Sequence, residues 1–101
     1  MSSESAIERF RTCIPLFQAL GDEYRQDIIL LLAEKEKLTV NEITEHSPLS
    51  RPAISHHLKV LRQADLVVIE QKGTQRIYSL SLEQSVEQLK NLLKLVEDEC
   101  I

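Results

Sequence analysis

The segment 51–64 carries side chains whose types and spacing could bind a polyanion. Read as a helix at 100° per residue, it directs Ile54, Leu58 and Leu61 to within about 40° of one direction. The opposite face contains no acid; with the residues at its N-terminal end it consists of Ser50, Arg51, Pro52, Ser55, His56, Lys59 and Gln63. Short donors of this kind can reach base edges, and a helix N-terminus favours phosphate. Periodicity alone fits an ordinary amphipathic helix equally well.

A second group of donors follows in a predicted hairpin. Residues 66–71 and 76–80 have the composition of two strands, joined at Lys72-Gly73-Thr74-Gln75. The tip, Lys72 to Arg76, is basic and contains no acid, which suits contact with phosphate or with a minor groove. A solvated loop explains the tip alone, but a basic tip directly after a basic helix favours nucleic-acid binding.

The distribution of charge supports that interpretation. The 101 residues carry 12 Lys and Arg against 16 Asp and Glu, a formal net charge of −4. Residues 51–76 hold five of these cations against only Asp65 and Glu70, whereas the segments before and after are both acidic. A basic segment between acidic ends is typical of a polyanion-binding patch.

The elements that position these groups are predicted to be four helices, a hairpin and a last helix, so the fold is mainly α with a small β-hairpin. The first helix covers about 5–20 and has a kink near Cys13 and Ile14, because Pro15 interrupts it. The second, 23–34, is apolar nearly all round and is expected at the centre of the domain. Thr39 and Glu42 form a capping box that opens the third helix. Ser50 caps the fourth, and a helix, a turn and this fourth helix form a helix-turn-helix.

Length and composition exclude several classes. A chain of 101 residues has room for one domain, and its longest apolar run, residues 28–33, is too short to cross a membrane. The first residues contain no basic region and no apolar core, so we expect a cytoplasmic protein. No nucleophile and base stand at a recognisable spacing and no glycine loop binds phosphate, so neither an enzyme nor a cofactor is expected.

Several stretches of the sequence resemble the ArsR-type winged helix-turn-helix repressors. They are Ala19-Leu20-Gly21-Asp22-x-x-Arg25, Leu49-Ser50-Arg51-Pro52-Ala53-Ile54-Ser55-His56-His57-Leu58-Lys59-Val60-Leu61, Ala64-Asp65-Leu66-Val67 and Lys72-Gly73-Thr74-x-Arg76-x-Tyr78-x-Leu80. The similarity covers roughly residues 7–96. One departure is Asp65, where such proteins usually have Ala-Gly before the first strand, and it should affect the turn more than binding.

This resemblance implies a homodimer that binds a double-stranded DNA operator and blocks transcription. We expect the helix 51–64 and the wing 66–80 to contact DNA, with His57 as a hydrogen-bonded packing residue. The predicted DNA contacts are Ser50, Arg51, Pro52, Ser55, His56, Lys59, Lys72, Thr74 and Arg76. The alternative from another class is a winged-helix module that binds protein.

The last helix independently indicates a dimer, with dimerisation helices at about 5–20 and 82–100. Apolar residues recur there at intervals of four and three, as in a coiled-coil seam, with Leu92 and Leu95 as a second strip. Packing on its own domain is the alternative. The predicted interface is Ile7, Phe10, Ile14, Phe17, Val86, Leu89, Leu92, Leu93 and Val96. A twofold dimer places its two reading helices about 34 Å apart and favours a palindromic site.

The sequence does not identify a signal. Metal-sensing relatives use a Cys-x-Cys in the third helix or Asp and His residues in the last; here residues 40–44 contain no cysteine and the last helix contains no histidine. We therefore expect no metal site. Cys13 and Cys100 are either inert buried thiols or a redox pair that locks the dimer. Two thiols are too few to hold trivalent arsenic within one chain.

Overall fold

The computed structural model describes residues 3–99, with the side chains of residues 6–99. The elements of this part are α1 Ser3–Thr12, α2 Ile14–Leu20, α3 Glu23–Lys35, β1 Leu38–Thr39, α4 Val40–Glu45, α5 Arg51–Gln63, β2 Val67–Lys72, β3 Gln75–Leu80 and α6 Glu83–Glu99. The predicted fold, mainly helical with a small hairpin, is therefore confirmed.

The predicted first helix is interrupted at Cys13, near the expected kink. Pro15 has no N–H to donate to an earlier carbonyl, and its ring excludes a continuous helix. It instead occupies the first turn of α2, where a missing N–H has no cost. The chain therefore has two helices where the sequence predicts one.

The wing belongs to a sheet with one more strand than predicted. β1 pairs with β3 antiparallel, with Leu38 opposite Tyr78, and the strand order is β1-β3-β2. β2 and β3 form the predicted hairpin, in which Lys72 lies opposite Gln75. Gly73 begins its two-residue turn with φ of +60°, a conformation that favours glycine. The wing is thus anchored to the residues that immediately precede α4.

The core lies between α3, α4, α5 and the sheet. Ile54, Leu58 and Leu61, the predicted anchors of α5, are each at most 1% exposed. They pack with Ile28 and Leu32 of α3 in one cluster of buried residues. This apolar stripe fixes which face of α5 is left to solvent.

The prediction that α3 lies at the centre of the domain is confirmed only in part. Ile28 and Leu32 belong to the buried cluster, but Leu30 is 67% exposed. The small domain covers only the side of α3 that carries Ile28 and Leu32, because α2, α5 and β3 pack against it there.

Candidate nucleic-acid interface

The helix-turn-helix is formed by α4, residues 46–50 and α5, and local capping fixes both helix starts. Thr39 Oγ1 accepts from the Glu42 N–H at 3.2 Å, and the Glu42 carboxylate accepts from the Thr39 N–H at 2.9 Å, so the predicted capping box is confirmed. The Thr39 N–H also lowers the pKa of Glu42. Ser50 Oγ accepts from the Ala53 N–H at 3.4 Å and caps α5.

A side-chain bond joins the two helices. The Arg51 Nε donates to Asn41 Oδ1 at 2.7 Å, from the first residue of α5 to the second of α4. Because Asn41 is neutral, this bond fixes the direction of the guanidinium and leaves its charge uncompensated. Arg51 therefore presents a full positive charge at the N-terminus of α5.

The outer face of α5 lies in solvent along its length. Pro52, Ser55, His56 and Lys59 are all exposed, as is Ser50 at the cap. The first turn of α5 contains no acid, so nothing there opposes the positive end of the helix dipole. This face offers a hydroxyl, an imidazole and an ammonium group in succession.

Between α5 and the wing runs a groove of about 530 Å³ that is rich in cations. The cations that line this groove, which we call the basic groove, are Arg51, Lys59, Arg62 and Arg76. Within residues 6–99 none of these four side chains forms an ion pair with a carboxylate. Four uncompensated charges around one cleft create a positive potential there that would favour a polyanion.

The tip of the wing extends this surface towards α4. A smaller cleft of about 220 Å³ is lined by Thr74 and Arg76 from the wing together with Asn41 and Arg51. Arg51 and Arg76 line both clefts, so the helix-turn-helix and the wing present one continuous basic surface.

Lys72 differs from the other predicted contacts. Its Nζ lies 3.8 Å from Glu70 Oε1, while the other oxygen of Glu70 lies 3.5 Å from Lys37 Nζ. Both lysines and Glu70 are more than half exposed, so these pairs are weak. Lys72 is nevertheless partly neutralised, and the wing contributes its charge mainly through Arg76.

Arg62 and Asn41 belong to this surface, although the sequence prediction omits them. Arg62 stands seven residues after Ser55, two helical turns along the same face, so helical periodicity could have identified it. Asn41 has no comparable signal, because its bond to Arg51 depends on how α4 is oriented against α5.

His57 lies on the flank of α5 and contacts α3, which confirms the prediction of a hydrogen-bonded packing residue. Its Nδ1 is 3.1 Å from Arg25 Nη1, and its ring centre is 6.2 Å from that of Tyr24. Burial lowers the pKa of His57 below its ordinary value of 6.5, as do Arg25 and His56, whereas Asp22 acts in the opposite direction. Burial and these two cationic or basic neighbours thus favour the neutral form of the ring where it meets the guanidinium.

Most predicted interface residues are exposed on α1, α2 and α6. Side-chain exposure is 66% for Leu93 and between 42% and 46% for Ile7, Phe10, Ile14, Phe17 and Val86. Leu89 and Val96 are partly buried. Leu92 is only 2% exposed and belongs to the chain's own interior, which corrects the prediction that it lies at a subunit interface.

The predicted thiol pair is described only in part. Cys13 is fully buried at the junction of α1 and α2, and Cys100 lies outside the described residues. In the described part of the chain, no three His, Cys, Asp or Glu residues are grouped as a metal site would require. No helix there has the length and apolarity needed to cross a membrane.

Comparison with known proteins identifies a family for this chain. The sequence model of the family "bacterial regulatory protein, arsR family" matches residues 22–68. The chain is 36% identical over 81 residues to the transcriptional repressor SdpR of Bacillus subtilis, a match covering 77% of this chain and 89% of that protein. It is 35% identical over 81 residues to the arsenical resistance operon repressor of the same species, covering 80% and 77%.

A solved structure shares this fold. NolR from Sinorhizobium fredii superposes with a TM-score of 0.73 at 28% identity, over 96% of this chain and 92% of that one. The helix-turn-helix, the wing and the relatives above agree, so the chain belongs to the ArsR family and is a DNA-binding transcriptional regulator rather than an enzyme.

Proposed function

We propose that the chain is a homodimeric, cytoplasmic repressor that binds a palindromic operator through α5 and the β2–β3 wing, each copy acting as one winged-helix domain. The observation that carries this proposal is the basic groove between α5 and the wing, with four cations that no carboxylate in the described chain neutralises. A protein partner would not require such a stripe, whereas a phosphate backbone does.

Two classes of contact are proposed for this surface. Lys59, Arg62 and Arg76 bind phosphates and set affinity, because long cations around a cleft neutralise charge without reading bases. Ser55 and His56 read base edges, since their short donors lie on the exposed face of α5. Thr74, at the tip of the wing, is proposed to contact phosphate or the minor groove beyond the helix.

The dimer is proposed from apolar surface that one chain leaves uncovered. Phe10, Phe17 and Leu93 are all more than two-fifths exposed on helices at the same end of the molecule, where α1 packs on α6. The radius of gyration is 15.8 Å, against about 13 Å for a compact domain of this length. A second copy that packs on these helices would remove an apolar surface that monomers rarely keep.

Repression is proposed because two relatives that this chain largely spans are named as repressors. A bound dimer would block polymerase access to an overlapping promoter. The names of these relatives do not carry an inducer over to this chain, whose two cysteines cannot by themselves form a three-thiolate site.

Binding to the DNA upstream of the chain's own gene tests the proposal. Fluorescence anisotropy over a series of salt concentrations should give affinity that falls steeply with salt, and footprinting should reveal a palindrome. Lys59→Ala and Arg76→Ala should each weaken binding to all sequences and reduce the salt slope by about one unit. Ser55→Ala and His56→Ala should instead change which sequences are preferred.

Lys35→Ala is the matched control, because Lys35 is an exposed lysine at the end of α3 that lines neither cleft. It should leave affinity unchanged. Affinity indifferent to salt, or equal losses from Lys35 and Lys59, would contradict the proposal and favour a protein-binding module.

Thiol regulation is the second alternative. Full burial of Cys13 favours a structural thiol, because reagents reach exposed thiolates first. Peroxide should therefore leave DNA affinity and the band on a non-reducing gel unchanged. An oxidation-dependent loss of affinity that Cys13→Ser abolishes would instead establish the redox switch.

A further inference from the structure

The Arg25 side chain links α2, α3 and α5. Its Nε donates to the Ala19 carbonyl at 2.9 Å and its Nη2 to the Gln18 carbonyl at 2.8 Å, both in the last turn of α2. Its Nη1 lies 3.1 Å from Nδ1 of His57 on α5. The backbone of Arg25 itself belongs to α3, where its N–H donates to Asp22 Oδ1.

This arrangement is rigid for physical reasons. The last carbonyls of a helix have no partners within the helix, and a guanidinium offers several donors in a fixed planar fork. The Arg25 side chain is only 14% exposed, so its alternative partners in water are few. Bonds to two successive carbonyls of α2 therefore hold Nη1 in a defined direction towards α5.

Apolar packing fixes which face of α5 is buried, but it sets the exact rotation of the helix less sharply than a directional bond does. Ile54, Leu58 and Leu61 keep α5 on the core, but dispersion and hydrophobic burial are non-directional and tolerate small rotations and shifts. His57 stands on the flank of the helix, next to the exposed His56, and its bond to Arg25 fixes the rotation of α5 about its axis. Rotation of α5 would redirect Ser55 and Lys59.

We propose that Arg25 and His57 are positioning residues for DNA binding: through the bond between them, the end of α2 sets the orientation in which α5 presents its outer face. This inference rests on the proposed function. It assigns to α2, whose Phe17 belongs to the proposed dimer surface, a direct mechanical link to the DNA-reading helix.

The bond is sensitive to the protonation of His57. Arg25 can only donate, so Nδ1 of His57 must accept and the ring must be neutral. Protonation would place an N–H against the guanidinium and break the contact. Two other groups act on the charge of His57. Asp22 at the cap of α3 favours the charged form of the ring, and His56 on α5 disfavours that form. Tyr24 of α3 lies beside the ring.

The experiment measures operator affinity as a function of pH in a His56→Gln background, which removes the neighbouring exposed imidazole. Affinity should fall several-fold as the pH is lowered from about 7.5 to below about 5.5, because burial lowers the pKa of His57 and its ring becomes charged only below the ordinary histidine value. Adding His57→Gln, whose amide oxygen can still accept from Arg25, should keep the affinity of neutral pH and abolish this dependence. Adding His57→Phe, which keeps a ring but no acceptor, should weaken binding about tenfold at every pH.

A matched control separates positioning from stability. Gln26 Nε2 donates to the Leu20 carbonyl at 2.7 Å and so also ties α3 to the end of α2, but none of its described hydrogen bonds reaches α5. Gln26→Ala should lower thermal stability and leave affinity and its pH profile unchanged. Arg25→Lys, which loses the fork, should weaken binding, and combining it with His57→Phe should add little further loss.

The possible outcomes are distinct. If His57→Phe binds as tightly as the His56→Gln parent, or if the pH dependence survives both His57 variants, positioning by Arg25 and His57 is refuted while the proposed function stands. If the unmodified protein binds no DNA at any pH or salt concentration, the proposed function fails and this inference fails with it.

Discussion

Leu92 and Leu93 are consecutive residues of α6, yet Leu92 is 2% exposed and Leu93 is 66% exposed. Successive residues of a helix point 100° apart, so α6 directs Leu92 onto its own chain and Leu93 away from it. The two side chains separate the intrachain packing of α6 from the surface proposed for a partner.

Leu93→Glu should convert the proposed dimer into a monomer, because a carboxylate at the centre of an apolar interface would lose its hydration. Sedimentation velocity would measure the mass. Leu30→Glu is the control, since Leu30 is 67% exposed on α3, away from the proposed interface. A dimer that tolerates Leu93→Glu, or that dissociates equally with Leu30→Glu, would refute the assigned surface.

Asp65→Gly should stabilise the protein by about 1 kcal/mol, because Asp65 has φ of 59° in the left-handed region, where a Cβ is unfavourable. The Leu66 N–H donates to the Leu61 carbonyl and the Asp65 N–H to the Arg62 carbonyl, both at 3.0 Å, which closes the end of α5 around this residue. Urea unfolding would measure the gain.

The matched variant is Asp65→Ala, which keeps a Cβ and loses the side-chain oxygens that help Asp adopt this conformation. It should be less stable than Asp65→Gly. Equal stability of the two variants would show that backbone strain at this turn is negligible, whatever their affinity for DNA.

Glu70→Gln should raise DNA affinity several-fold and steepen its salt dependence. Glu70 lies 3.8 Å from Lys72 and 3.5 Å from Lys37, so its removal frees two cations beside the wing. The stability change should stay below about 0.5 kcal/mol, because exposed pairs contribute little. Glu34→Gln, which removes an exposed partner of Lys35 outside the site, should leave affinity unchanged; an equal rise in both variants would indicate a non-specific charge effect.

Stability should decrease as the pH falls below about 6.5, the ordinary histidine value. The pKa of His57 is lowered in the folded chain, mainly by burial, so the unfolded chain takes up a proton first. The contribution of His57 to folding stability is therefore complete above the pKa of the unfolded chain and declines as the pH falls below it. Thermal unfolding at several pH values would measure this loss of stability. His57→Gln should flatten the part of the stability–pH curve that His57 causes. An unchanged curve would show that His57 does not cause the loss.

The sequence by itself determined the local features. The capping box at Thr39 and Glu42, the cap at Ser50, a helix irregularity near Pro15 and the buried stripe Ile54, Leu58 and Leu61 were all predictable, because each depends on side chains within a few residues of one another. The basic segment 51–76 was visible for the same reason, and so was the hairpin around Gly73, although the sequence predicted a four-residue connection and the structure has a two-residue turn.

Only the tertiary structure decided what depends on the relative placement of distant elements. β1 is two residues long and exists because β3 offers it a partner, with Leu38 opposite Tyr78. The rotation of α6, which buries Leu92 and exposes Leu93, follows from how α6 packs, since both of its apolar strips fit a helical period. The bond from Arg25 to His57 joins residues whose separation along the chain gives no local signal, and it forms because the core brings α2, α3 and α5 together.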